Sequence, residues 1–271
     1  MLKDKKLAVV GVGKLGEALI AGLLRNGAMK VGDISGSVKQ ESSIKRVEEK
    51  LGIKAGLDNR AMVKDADIIL LAVKPQNMDK VASEIGDVLR EDQLVISVAA
   101  SVSTNFVQQR LKAQVPVIRA MPNTPSVMNA GMTGLCGGLY ATEEHLAAAE
   151  SIFKCVGETV FLDESLMDGV TALSASGPAY LYVVIESLAE AGVKLGIPRD
   201  TSTLLAAQTM YGAARMVLES KAHPALLKDM VTTPAGCTID GLMELEEGKL
   251  RVTLIKAVVK AAQRAHELVD S

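Results

Sequence analysis

Over its first 163 residues the chain alternates short apolar runs with amphipathic stretches. Leu7-Ala8-Val9-Val10 and residues 67–73, 94–100 and 115–121 are apolar runs, broken only by Asp67, Ser97, Pro116 and Arg119, as in strands buried on both faces of a parallel sheet. Residues 30–35 predict a second strand, and 133–140 and 159–162 predict the last two. Between them, 17–25, 43–51 and 145–156 carry the one-sided apolar stripe of a helix, and Asp58-Asn59 opens another. Strands and helices alternating over this length predict a doubly wound, mostly parallel α/β sheet.

After Asp163-Glu164 the strand pattern stops. Residues 178–195, 200–220 and 249–269 read as helices, the first opened by Ser176-Gly177-Pro178 and closed by Gly196-Ile197-Pro198. Leu204, Leu205, Met210, Met216 and Leu218 cannot all face one side of their helix. The pattern therefore divides the chain into residues 1–163 and an all-helical 164–271, with two copies associating through the helices.

Composition narrows the class. The chain has 271 residues, 48% of them hydrophobic but only 3% aromatic, with no Trp, so Ala, Val, Leu, Ile and Met must build the core. A net charge of −2, with Lys and Arg spread along the chain, offers no nucleic-acid face. The apolar runs are too short to span a bilayer, and the start shows no secretory signal. Cys136, Cys155 and Cys237 form neither a disulfide framework nor a metal-ligand set, so a cytoplasmic protein without a metal is expected. His145, His223 and His266 read as surface residues.

Candidate chemistry begins with Gly11-Val12-Gly13-Lys14-Leu15-Gly16, between a strand and a helix. In that context Gly11 allows the tight turn, Gly13 lets a pyrophosphate reach the backbone, and Gly16 lets helix and strand pack closely. The far end of the second strand would choose the cofactor. Asp33 is the acidic candidate for a ribose but reads as lying within the strand, whereas Ser35, Ser37 and Lys39 suit a phosphate. NADPH is thus preferred, with NADH open. Asn59 is placed to reach the adenosine ribose, and Ala72-Val73-Lys74-Pro75 ends a strand where ligands of open α/β sheets sit. Pro122-Asn123-Thr124-Pro125 is a turn-rich loop at the same edge, which puts Asn123 among the candidates.

A second loop, Thr232-Thr233-Pro234-Ala235-Gly236-Cys237-Thr238, runs straight into a helix. Pro234 stops the preceding residues from continuing a helix, Gly236 allows a bend that a side chain would block, and Thr238 reads as the N-cap. Such a helix start can hold a small carboxylate or phosphate.

With this loop, LAVKPQ, RAMPNTP, LSASGPAY and AGVKLGIPR in place, the whole chain resembles the pyrroline-5-carboxylate reductase family. The resemblance implies reduction of 1-pyrroline-5-carboxylate to L-proline by NADPH or NADH, a Rossmann domain before a helical dimerisation domain, and decamers built from dimers. It places Gly11, Val12, Gly13, Lys14 and Leu15 at the pyrophosphate, Ser37 at a 2′-phosphate, Asn59 at the ribose, and Ala99 and Ala100 beside the nicotinamide. It puts Glu164, Ser176, Thr233, Gly236, Cys237 and Thr238 at the substrate, with the loop open to contribution from a partner subunit. Thr238 would be the catalytic residue, its hydroxyl on the ring nitrogen.

The chain departs from the family pattern at Ser101 and Ala235, where Gly is common, and at Met230, where some members are polar. Competing readings are a β-hydroxyacid dehydrogenase, whose catalytic lysine would fall nearest Lys194, another imine reductase, and a non-catalytic dinucleotide-binding protein. Lys194 reads as a surface residue, and a binding module needs no substrate loop.

Overall fold

The computed structural model describes residues 2–112 and 114–268. Its strands are β1 (Leu7–Val10), β2 (Ile34–Ser37), β3 (Lys54–Gly56), β4 (Ile68–Leu71), β5 (Leu94–Ser97), β6 (Val117–Met121), β7 (Gly131–Gly137) and β8 (Gly157–Phe161). They form one sheet in the order β3-β2-β1-β4-β5-β6-β7-β8. Only the β6–β7 pair is antiparallel. The order reverses between β1 and β4, and a crevice opens at such a switch point, beyond the carboxyl ends of the strands.

The helices of this part are α1 (Lys14–Arg25), α2 (Ser42–Leu51), α3 (Asn59–Val63), α4 (Met78–Gly86), α5 (Thr104–Leu111) and α6 (Glu143–Phe153). Alternate strand residues feed two separate cores. Leu7, Val9, Leu70 and Ile96 pack with Leu19 and Leu23 of α1, Val47 of α2 and Phe153 of α6. Ala8, Val10, Ile69, Leu71 and Val95 pack instead with Val63 of α3, Met78 and Ile85 of α4, and Val107 of α5. With β1, β4, β5 and β6 buried on both sides, their apolar runs follow, and the doubly wound α/β expectation holds.

Two details differ from the sequence reading. The second strand is Ile34–Ser37 rather than residues 30–35, because parallel register sets Ile34 beside Leu7 and Ser37 beside Val10. Val31–Asp33 forms a 3-10 turn ahead of it. β3 has no apolar run to announce it: Lys54 is exposed, and the strand pairs only with β2.

Beyond β8 come a 3-10 turn (Glu164–Leu166), α7 (Met167–Val170) and a π-helical turn (Thr171–Ala175). Met167 is fully buried against Met121 and Cys136, so this stretch belongs with the sheet. The compact units are accordingly Met1–Ser176 with Ala261–Ser271, and Gly177–Lys260.

The second unit holds α8 (Gly177–Lys194), α9 (Arg199–Ser220), α10 (Pro224–Met230), α11 (Cys237–Glu247) and the start of α12 (Leu250–Glu267). Val269, where the sequence reading ended the last helix, lies outside the described residues. Gly192 lets α8 approach α9 closely, since a Cβ there would stand 2.6 Å from Ser202 Oγ. Among the described residues of this unit, only Ala189, Ser202 and Ala206 are buried. Leu181, Leu204, Met216, Leu218, Met243 and Ile255 all face outward, as expected of helices that need another copy to cover them. No helix among the described residues is long and apolar enough to cross a membrane.

Candidate active site

The glycine loop has the geometry of an anion seat. Gly11 sits at φ +90°, and a Cβ there would stand 2.8 Å from Val73 Cγ1 and 3.0 Å from the Ala72 carbonyl oxygen. The turn and its close approach to β4's end therefore both require glycine. Gly16 lies against β1, a Cβ there meeting Val9 Cγ1 at 3.3 Å. Gly13 differs: its Cβ position faces open space with nothing within 4 Å, and it is the N-cap of α1. Lys14 and Leu15 form the first turn of α1, whose leading amides have no internal acceptor. Val12 is buried and folds over β2, where only a glycine at 36 leaves room, a Cβ there falling 2.4 Å from Val12 Cγ2.

Ser37 is the last residue of β2 and is buried, its hydroxyl donating to Asn59 Oδ1 at 2.6 Å. Asn59 in turn donates to Glu84 Oε2 at 3.0 Å and opens α3, capped by Asp58. The shift of β2 corrects two placements. Asp33 precedes the strand at its amino end, away from the glycine loop. Ser35 pairs with Ala8 and Lys54 in mid-strand. Both border a separate cavity of about 210 Å³ with Lys6 and Asp65, so neither reaches the glycine-loop cleft.

That cleft has a volume of about 490 Å³ and is bordered by Gly11, Val12, Gly13, Lys39, Arg46 and Lys74 among others. An adjoining hollow of about 280 Å³ has Ser37 and Asn59 at one side and Leu57, Val73 and Val81 as apolar walls. A phosphate-rich, flat-ringed ligand suits this combination of amides, cations and apolar walls. Ala72 and Val73 are half-buried at the end of β4, while Lys74 and Pro75 are exposed beside it. Sequence reasoning missed Arg46, Leu57, Asn77 and Lys80. Arg46 stands three residues after Ser43 in the helix that follows β2, and that spacing was a readable signal.

Other expected residues are engaged within the chain. Asn123 donates to the carbonyl and hydroxyl of Ser174 at 3.3 Å and accepts from the Met132 amide at 2.9 Å, fixing its loop between β7 and the π-helical turn. Glu164 accepts from the Thr104 amide at 2.7 Å and its hydroxyl at 2.6 Å, so it caps α5, and it faces buried Arg119 at 3.7 Å. Arg119 also reaches Asp168 at 3.4 Å, and Asp168 meets His266 at 3.2 Å, which makes the exposed His266 a tether for α12. Burial, assisted by the Glu164 charge, pushes the Cys136 thiol up to about 12, so it is inert. Ala99 is buried just past β5, and Ala100 packs beside Met121, Cys136 and Met167. Ser176 follows the π-helical turn, half-buried, its amide donating to the Thr171 carbonyl at 2.9 Å.

The second loop corrects one more expectation. The N-cap of α11 is Gly236, not Thr238, and the helix starts at Cys237. Gly236 sits at an ordinary φ of −81°, and what requires glycine is space, since a Cβ would stand 2.4 Å from Thr233 Oγ1. The left-handed residue is Ala235, at φ +56°. Thr238 is therefore the second residue of the helix, half-buried, and its hydroxyl is spared from capping. The amides of Cys237 and Thr238 are among those a helix leaves without an internal acceptor. Cys237 is exposed.

Two family profiles match separate parts of the chain. A family profile described as pyrroline-5-carboxylate reductase dimerisation matches residues 164–268. One described as NADP oxidoreductase, coenzyme F420-dependent, matches residues 6–101. A pyrroline-5-carboxylate reductase of Methanosarcina acetivorans is 42% identical over 98% of this chain and 99% of its own length. The structure of a pyrroline-5-carboxylate reductase from Coxiella burnetii superposes with a TM-score of 0.92 at 37% identity, covering 97% of this chain and 98% of that one. A Plasmodium falciparum pyrroline carboxylate reductase, solved with NADP bound, superposes at 0.88 with 28% identity over 98% and 99% of the two chains. The likeness in sequence and fold runs over nearly the full length of these proteins, and the chain belongs to the pyrroline-5-carboxylate reductase family.

Proposed function

We infer that this chain reduces 1-pyrroline-5-carboxylate to L-proline, the last step of proline biosynthesis, with a nicotinamide nucleotide as reductant. What carries the reading is likeness over nearly the whole chain to reductases named for that imine, at up to 42% identity among those described. The loop leading into α11 is the part of this chain that suits such a substrate. Amides at Cys237 and Thr238 bind the substrate carboxylate, aided by the partial positive charge of the helix start. The Thr238 hydroxyl hydrogen-bonds at the ring nitrogen, orienting the imine and helping to deliver or stabilise the proton that nitrogen carries when hydride reaches the carbon. Thr233, Gly236, Ser176 and Glu164 are assigned to the substrate, and Asn123 to the cofactor, on the same family likeness.

The cofactor cleft is assigned to the same reading. Gly11, Val12, Gly13, Lys14 and Leu15 seat the pyrophosphate, with Gly16 behind them. Asn59 takes the ribose, and 72–75 with Ala99 and Ala100 border the nicotinamide. The chemistry the bound nicotinamide supplies is hydride donation to the imine carbon. A protonated imine is already a good electrophile, so the chain's residues act by placing and orienting it. A tip without a carboxylate, holding Ser37 and Lys39, favours NADPH over NADH. The chain works as a homodimer through residues 164–271, assembled further into decamers, in the cytoplasm.

Oxidation of NADPH, then NADH, in the presence of pyrroline-5-carboxylate tests the reading. Turnover with either supports the reaction, and cofactor binding without turnover overturns it. Replacing Thr238 by Ala is expected to lower kcat roughly 10²-fold or more while cofactor affinity stays put. Unchanged turnover would remove Thr238 from the mechanism.

A further inference from the structure

We propose that Arg46, posed by Glu17, is the side chain that discriminates NADPH from NADH. The proposal rests on the NADPH preference inferred above and names the group responsible. Lys39 sits at the same tip but is a single exposed charge on a flexible stem. Arg46 projects from α2 into the cleft that Gly11–Gly13, Lys39 and Ser43 border. Its planar guanidinium offers several donors in a fork that matches a phosphate.

Its neighbour explains the orientation. Glu17 lies in α1 just after the glycine loop and is only 8% exposed. A buried carboxylate there would repel any phosphate, yet both its oxygens are occupied: Arg46 Nη1 donates to Oε1, and Lys50 Nζ to Oε2 at 2.8 Å. Burial pushes the Glu17 carboxyl up, but the hydrogen bonds from Lys50 and Arg46 outweigh it and hold it below its ordinary range. Two cations thus answer one carboxylate. Lys50 does not border the cleft, so it shares the neutralisation while Arg46 keeps Nε and Nη2 for a ligand. Lys45, one residue earlier, faces away and pairs with Glu49 at 3.7 Å.

The test compares binding of 2′,5′-ADP with that of 5′-AMP, which isolates the 2′-phosphate from the nicotinamide and from turnover. In the unaltered protein 2′,5′-ADP should bind more tightly. Arg46→Ala should weaken 2′,5′-ADP roughly 10- to 100-fold and leave 5′-AMP unchanged, the size expected for hydrogen bonds to a charged group. Arg46→Gln, which keeps a donor for Glu17 but loses the charge, should show the same selective loss and guards against misfolding of the alanine variant. Lys45→Ala removes a neighbouring charge without touching the cleft and should keep the wild-type ratio. A preference that survives Arg46→Gln, or that Lys45→Ala reduces equally, overturns the assignment of Arg46 alone. Equal binding of both nucleotides to the unaltered protein instead defeats the underlying NADPH preference.

Discussion

Gly11 and Gly13 stand two residues apart, yet alanine should act on them in opposite ways. At Gly11 the backbone is left-handed at φ +90°, a conformation that costs an L-residue about 1–2 kcal/mol. The new Cβ would also press on Val73 Cγ1 at 2.8 Å and on the Ala72 carbonyl at 3.0 Å, and the carbonyl cannot rotate away. Overpacking of this kind adds about 1–3 kcal/mol. The total, roughly 2–5 kcal/mol, lowers the unfolding midpoint by roughly 5–15 °C in a protein of this size class. At Gly13 φ is −98° and no atom lies within 4 Å, so Gly13→Ala should fold within about 0.5 kcal/mol of the parent. Its methyl enters the space assigned to the pyrophosphate, and NADPH should bind more than tenfold more weakly. Thermal unfolding without cofactor and titration of NADPH fluorescence measure the two effects separately. Undiminished NADPH affinity in Gly13→Ala would refute the seat assigned to this loop. An unshifted midpoint in Gly11→Ala would refute the steric argument.

Three further outcomes follow from single features. Ala235 is left-handed at φ +56°, so Ala235→Gly should raise stability by about 0.5–1 kcal/mol after allowing for glycine's freer unfolded state, and a lower midpoint would contradict that backbone. Glu17 is held below its ordinary value of 4.5, so it binds its proton less readily folded than unfolded. Its contribution is then complete above pH 4.5 and fades as pH falls through the lower folded value, so the stability gap between the parent and Glu17→Gln should close on the acid side; a gap widening there would reverse the sign. The second unit buries only Ala189, Ser202 and Ala206, so dilution should lose activity and helical content together; a helical, active monomer would contradict this.

The sheet was legible because each central strand is buried on both faces, leaving uninterrupted runs such as Leu7–Val10 and Ile68–Leu71. β3 was not, since an edge strand of Lys54, Ala55 and Gly56 carries no such run. β2 slipped because Val31, exposed in the 3-10 turn, put an apolar letter ahead of the strand's true start at Ile34. That slip moved Asp33 and Ser35 to the wrong end of the sheet and drew attention away from Arg46, whose spacing from Ser43 was its one signal in the sequence and which α2 brings beside the glycine loop. The glycine loop was readable in detail because its three glycines answer distinct local needs. Thr238 was misjudged as a cap because hydroxyl residues usually take that position. Here the cap is Gly236, chosen for the space beside Thr233, and the threonine hydroxyl is left for other work.

The two units also differ in what specifies their geometry. Around the sheet, the chain's own side chains fix the loops: Val73 confines Gly11, Val12 crosses Gly36, and Asn123 pins its neighbours. In the second unit α10 and α11, which bracket the loop at 231–236, bury no residue at all within the chain. With so little packing inside the chain, a left-handed alanine in the loop between such helices calls for support from outside it. Homo-oligomerisation through residues 164–268 supplies that support, and the exposed Leu226, Met230, Met243 and Leu245 are the side chains available to receive it. Association is then expected to steady the loop assigned above to the substrate. Substitutions that weaken the helical interface should therefore damage substrate handling before they damage cofactor binding, which depends on a unit with its own core.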